Sequence, residues 1–535
     1  MIRRIIQLSI LMAVLLVTSG AWATTYYIDW VNGADTNNGT SKSTPWKRAP
    51  GMQGCLITDT NNNPCRARTH ASTSGDSIIL KGGVTWPKEA LGWDWYFGNS
   101  TYFGVDQTWY TGAAWSRPIL DNQGVETTAS PEGVHWMMRA YGLNQTVDNI
   151  EFKGLAQLHG GDNGYIAAML QVGINSGDAY GGEIKNCYFH GWSHGPVTNG
   201  NWDSDGTLAG DNSFVIRNAS TSTPDLTVKI HHNVFDGSDT TKDMIRLLGG
   251  GGHVYNNYFA YAPNAMFSGA YIWGNTITEI GTTASFCPSV HYNVMENNRG
   301  WTIFYNNFIK NTHGGDILTY GIDGYKDYIF NNVIMGDNGA SLQLGSWNGG
   351  QITLVTGVGY EMNVFNNTIQ SREGNNFSPI SGPPLTTAAL MPIMRAINNH
   401  LIGPTHSVYF NAGVAADGKI ESNNLGMTNA AATAAGYVAT GNYPFYPPDR
   451  GGITLGAGKD LRSLAAGIPS TTISDAATAA LSDTSCGVKY DAVNHRVVGP
   501  NRTPRPRGTT WDIGAYQSTA TPQSLGSPKN LKVIP

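Results

Sequence analysis

The sequence predicts an all-β chain, a single right-handed parallel β-helix of about a dozen coils with an asparagine ladder along one corner. Three observations predict it. An apolar-Asn-Asn-apolar phrase recurs, as VYNNYF from Val254, YNNFI from Tyr305, FNNVI from Phe330, FNNTI from Phe365, INNHL from Ile397 and SNNLG from Ser422. Its period is in the twenties: from Asn233 through Asn257, Asn275, Asn307, Asn332, Asn367 and Asn399 to Asn424, each step averages about 27 residues. The residues around each Asn are β-branched or aromatic, and helical heptads are missing.

Each coil turns a corner at its asparagine, where stacked amides bond up and down the ladder. The position three before the Asn (Val254, Phe304, Ile329, Val364) and the one two after it (Phe259, Ile309, Ile334, Ile369) are expected to point inward. These asparagines therefore read as register pins rather than catalytic groups. Looser copies at KNCYF, HHNVF and WGNTI extend the ladder, with Cys187 standing in an Asn place as a buried structural thiol. His231 and His232 fall at a ladder corner, where one of them is expected to be buried and hydrogen-bonded.

The ends and boundaries follow. Arg3 and Arg4 before the apolar stretch Ile5–Val17, then Ala21-Trp22-Ala23, read as an export signal cleaved after Ala23, which places the protein outside the cytoplasm, secreted or periplasmic. Residues 24–145 are expected to hold an N-terminal cap and first coils, 146–425 the central coils, 426–518 a closing region, and 519–535 a linker-like tail. That tail ends in PKNLKVIP, which resembles the opening strand of a fibronectin type III module but is too short to fold. Cys55 and Cys65 share a Gly/Asn/Pro-rich loop and are the expected disulfide; Cys287 and Cys486 are left unassigned.

Composition excludes some classes. With 13% charged residues and a net charge of −5, nothing attracts nucleic acid, and no apolar run beyond the signal is long enough to span a membrane. The 66 glycines, about twice the usual share, fit a loop-rich β protein.

YYIDWVNGADTNNGTSKSTPWK from Tyr26, with GDSIILKGG from Gly75, resembles the opening segment of secreted right-handed parallel β-helix proteins of the pectate-lyase-like superfamily. WDIGAYQ from Trp511, preceded by Arg502, Arg505 and Arg507, resembles the segment closing many bacterial members. The resemblance implies the fold, which hosts lyases, hydrolases and non-catalytic surface proteins alike, so no catalytic residue is carried over from it.

The candidate chemistry lies on outward residues. The long coil between Cys187 and Asn233 carries His190, Trp192, His194, Asn199, Trp202, Asp203 and Asp205, where Trp192 and Trp202 either stack on pyranose rings or fold the loop back on the helix. FVIRN from Phe214 and DMIRL from Asp243 read as one strand in consecutive coils, setting Arg217 beside Arg246, either as a site for a uronate carboxylate or as a salt-bridge ladder with Asp243. On the first alternative, β-elimination from an acidic polysaccharide takes place there. Arg246 abstracts the proton, Arg217 and Lys242 supply the positive field, Trp192, Trp202 and His194 contact sugar, and Asp243 binds a hydroxyl or Ca²⁺.

A second cluster holds Lys310, His313, Asp316, Asp323, Tyr325, Lys326 and Asp327. Asp316 is expected to flank the same polymer, and Asp323 with Asp327 offers a hydrolase pair, a Ca²⁺ site or a solvated turn. Asp35, Asn37 and Gly39 read as an Asx-rich turn, not a Ca²⁺ loop. Two alternatives to a lyase stand: a non-catalytic adhesion or matrix β-helix, and a glycoside hydrolase.

Overall fold

The computed structural model describes residues 23–54, 74–95, 98–110, 112–125, 134–140, 142–157, 166–172, 181–194, 213–218, 228–239, 246–249, 252–262, 265–267, 271–281, 294–297, 302–312, 317–320, 324–336, 352–356, 361–371, 378–381, 392–410, 414–448 and 452–518. Among the described residues three long sheets, of 13, 13 and 11 strands, stack each strand parallel to the one a coil away. This is the right-handed parallel β-helix that the repeat predicts. In each full coil the chain visits the first sheet, then the second, then the third; one coil, for example, uses Glu183–Lys185, Tyr188–His190 and Ser213–Asn218.

Two residues make the corner between first and second sheets, and they explain why the phrase contains two asparagines. The first takes the left-handed conformation at Asn149, Asn186, His232, Asn256, Gly274, Asn306, Asn331, Asn366, Asn398 and Asn423. Asn tolerates that region better than most side chains, and Gly does so freely. The second residue is the ladder amide. Asn257 Oδ1 accepts the Asn233 N–H at 2.9 Å and its Nδ2 donates to Asn275 Oδ1 at 3.1 Å, and the pattern repeats to Asn424. At the other end Cys187 N–H donates to Asn233 Oδ1, so the thiol does occupy an amide's place, fully buried and with its pKa pushed up to about 12 by burial.

Inside the second sheet, Phe152, Phe189, Phe235 and Phe259 stack at centroid spacings of 4.9, 4.9 and 4.6 Å. The predicted inward positions Val254, Phe304, Ile329, Val364, Ile309, Ile334 and Ile369 are all buried. At the N-terminal end Tyr26 stacks on Trp46 at 4.6 Å, and buried Asp29 accepts from Val31 and Asn32 N–H and pairs with Lys81.

After Leu425–Met427 the chain leaves the coils and runs back over the outside. Gly514 N–H donates to Asn398 O, Gly487 N–H to Asn306 O, and Arg117 Nη1 reaches Asn494 O in the early coils. On the first sheet this segment covers Tyr305, Phe330, Phe365 and Ile397 with Leu461, Ala465, Ile468, Ala476, Ala480 and Trp511. Arg507 is buried within it and donates to Asn331 Oδ1 and to the Gly514 carbonyl, while Arg502 pairs with Asp483.

Candidate functional site

The two arginines are not neighbours. In the third sheet Arg246 lies beside Phe214, whereas Arg217 lies between Gln171 and Gly249. The three-residue offset separates the two by about 10 Å along the strand. The register sets Leu248 level with Met138, Leu170, Ile216, Met266 and Met295. The side chain of Arg246 lies outside the described structure. Arg217 is half-buried in a polar column with Asp94, Arg139 and Gln171, where Arg139 holds Asp94 through two bonds of 2.7 and 2.8 Å.

Trp192 is not a sugar wall either. It is fully buried in the core, because Gly191 takes φ 65 after its strand and turns the indole inward against Gly237. His194 belongs to the two-residue strand Ser193–His194, beside Gln157, and its side chain is not described. Trp202, Lys242, Asp243 and Asp316 lie outside the described residues, as do Asn199, Asp203, Asp205, His313, Asp323, Cys55, Cys65 and Cys287. Asp327 is buried and accepts the Thr302 N–H at 2.7 Å, while Lys326 pairs with Glu361, so both serve structure. Asp35 pairs with Arg48 and accepts its N–H, a contact across 13 residues rather than the local bond of an Asx turn.

The structure instead gathers titratable groups on the outer face of the first sheet, below the part covered by the C-terminal segment. Across successive coils, register places Thr146, Glu183, Lys229 and His253 in one outward column and Asp148, Lys185, His231, Tyr255 and Trp273 in another. Glu183 Oε2 accepts from Lys185 Nζ at 2.7 Å, and Glu183 Oε1 lies 2.8 Å from His231 Nε2. His231 Nδ1 lies 2.8 Å from His232 Nδ1. The His231 ring stacks on Tyr255 at 4.6 Å, and Tyr255 on Trp273 at 4.4 Å. Asp148 accepts from Tyr102 Oη at 3.0 Å and from Asn186 Nδ2 at 2.8 Å. Solvent reaches this face, since the Glu183 and Lys185 side chains are 28% and 27% exposed.

One proton arrangement satisfies the chain with both rings neutral. His231 Nε2–H donates to Glu183, His231 Nδ1 accepts from His232 Nδ1–H, and His232 Nε2 is left with its lone pair. Burial lowers the pKa of both imidazoles, and His231 lowers that of His232 further. Glu183 is held below the usual carboxylate range by its bonds to Lys185 and His231, which outweigh its burial. The arrangement is a neutral base at the end of a relay that finishes on an ionised carboxylate. The signal for it was in the sequence: HHNVF puts His232 where the other corners carry Asn or Gly.

A second cluster lies on the second sheet. His190 sits between Asp239 (2.7 Å from Nδ1) and Glu151 (3.0 Å from Nε2), and these bonds raise its pKa to about 8 against the opposing effect of burial. Tyr188 stacks between His190 and His495, the latter from the hairpin Val488–Asp491 and Arg496–Pro500. With both ring nitrogens bonded to carboxylates, His190 is a cross-brace. Among the described residues no three His, Cys, Asp or Glu side chains are grouped to hold a metal ion.

No family model and no curated protein matches the chain. Among solved structures, it is similar to the GH136 lacto-N-biosidase from Eubacterium ramulus, at TM-score 0.38 and 11% identity over 76% of this chain and 67% of that one. The selenomethionine form of that protein gives TM-score 0.36 and 12% identity over 75% and 67%. The pectate lyase Pel9A gives TM-score 0.32 and 14% identity over 93% of this chain and 98% of that chain. The chain's own three stacked sheets and asparagine ladder establish its architecture as a parallel β-helix.

Proposed function

We propose that the protein binds an acidic polysaccharide outside the cytoplasm, along the open face of the first sheet, and cleaves it by β-elimination. The observation that carries this reading is the hydrogen-bonded chain from Glu183 through His231 to His232. His232 Nε2 takes the proton from the sugar carbon beside the carboxylate, and that electron pair forms the ring double bond. The bond to the leaving glycosidic oxygen breaks, and the oxygen takes a proton from water. Positive charge arriving on His232 is shared through His231 with Glu183. Lys185 and Lys229 stand on the same face to neutralise the uronate carboxylate, which acidifies the carbon. The export signal read in residues 1–23 supports an extracellular substrate.

Hydrolysis has one observation in its favour: Asp148 and Glu183 lie one coil and two positions apart, about 8 Å between Cα atoms, a spacing compatible with paired carboxylates. It requires one protonated carboxylic acid, and the lowered pKa of Glu183 argues against that role for this residue. Incubation with a panel of polyuronates, followed by ultraviolet absorbance of the unsaturated product, tests elimination. Reducing-end release from neutral glycans without such absorbance would replace it with hydrolysis, and neither product would leave a non-catalytic binding surface.

A further inference from the structure

We infer that this face is closed at one end, so that the polymer is engaged from a chain terminus and cut a fixed few residues from it; the inference rests on the proposed first-sheet site. The outward column reads Asp148, Lys185, His231, Tyr255, Trp273 and then Tyr305, coil by coil. At Tyr305 the exposure ends: its hydroxyl lies 3.0 Å from Ser474 Oγ, and one coil on Tyr328 donates to the Gly467 carbonyl. Both partners belong to the returning C-terminal segment, whose Leu461, Ile468, Ala476 and Ala480 pack over the next coils. Tyr271 is 2% exposed beneath the same cover, whereas Tyr255 and Trp273 are only partly buried, Trp273 packing against the edge of the covered cluster.

A polymer lying along the helix axis over His232 therefore meets a wall about three coils, or roughly 14 Å, further on. That is room for a few pyranose rings beside Tyr255 and Trp273. The lysines and carboxylates lie at the level of the base and toward the N-terminal end, where no such wall stands among the described residues. The two ends thus differ in chemistry. The bulk of the chain enters over the charged groups, and its terminus rests in the aromatic pocket.

Two measurements test this. Digestion of a long polyuronate is expected to release one short size class from the earliest time points, with viscosity falling slowly relative to bonds broken. A broad ladder of products with early viscosity loss would overturn the closed end while leaving the elimination chemistry intact. Binding of saturated oligouronides of increasing length to His232→Asn gives the second measurement, independent of turnover. Affinity that levels off after a few residues supports the wall, and affinity that climbs through the whole series refutes it. If no polyuronate is cleaved, elimination fails and the binding series alone decides the closed end.

Discussion

His231 and His232 face each other through their Nδ1 atoms at 2.8 Å, although they are adjacent in the chain. This is possible because His232 takes φ 56, which swings its ring back toward that of its predecessor. The contact converts a structural corner into the end of a proton relay. Non-glycine residues in strained backbone regions concentrate at functional sites, and His232 holds a position where an Asn would cost less.

His232→Asn separates the two roles. The fold is expected to keep its stability to within about 1 kcal/mol, since Asn suits the left-handed corner, while turnover of any polyuronate the wild type degrades falls by about 10²-fold or more. Because burial and His231 hold its pKa below the ordinary imidazole value, the wild-type rate should hold at pH values somewhat below 6.5 before falling. Steady-state rates of both proteins across pH, with chemical denaturation alongside, check this. Wild-type turnover in His232→Asn would remove the relay from the mechanism.

Asn307→Leu breaks the ladder in its middle. The substitution leaves Asn275 N–H without its acceptor and Ile272 O without its donor, all in the dry interior. A loss of about 3 kcal/mol or more is expected from the stranded groups. Urea unfolding measures it, and a loss no larger than that of an exposed Asn→Leu change would contradict the pin.

His190 makes stability depend on alkaline pH. Its folded pKa of about 8 lies above the unfolded value of about 6.5. The contribution is therefore fully present below about pH 6.5 and lost as pH rises through 8. Its size is on the order of 1–2 kcal/mol, reduced by the exposure of Asp239. Denaturation midpoints from pH 6 to 9 should decline in the wild type and decline less in Asp239→Asn; a flat wild-type curve would rule the brace out.

Trp192→Ala is expected to destabilise by about 3–5 kcal/mol, as removal of a fully buried indole does. Oligouronide affinity measured on whatever fraction remains folded should not change. Unaltered stability with weakened binding would restore the sugar-stacking role that its burial denies it.

The sequence by itself determined the β-helix, its ladder and its inward columns. Each ladder step depends on the same few local demands: a left-handed corner, an amide after it, and apolar residues three before and two after. Those demands are satisfied within one phrase, so they are written in one phrase. The register between strands of the third sheet was not legible, because long insertions separate them; only the stacked strands show Leu248 level with Ile216 and Met266, and Arg246 three positions from Arg217. The fate of Trp192 likewise depended on one left-handed glycine and on a distant Gly237 that leaves room for an indole. His231 and His232 were visible as a departure from the corner pattern. Their partnership with Glu183, 48 residues away, arises only when two coils stack. The covering of Tyr305 by Ser474 spans 169 residues and was decided by tertiary structure alone, since nothing in a local repeat specifies where the chain beyond its last coil comes to rest.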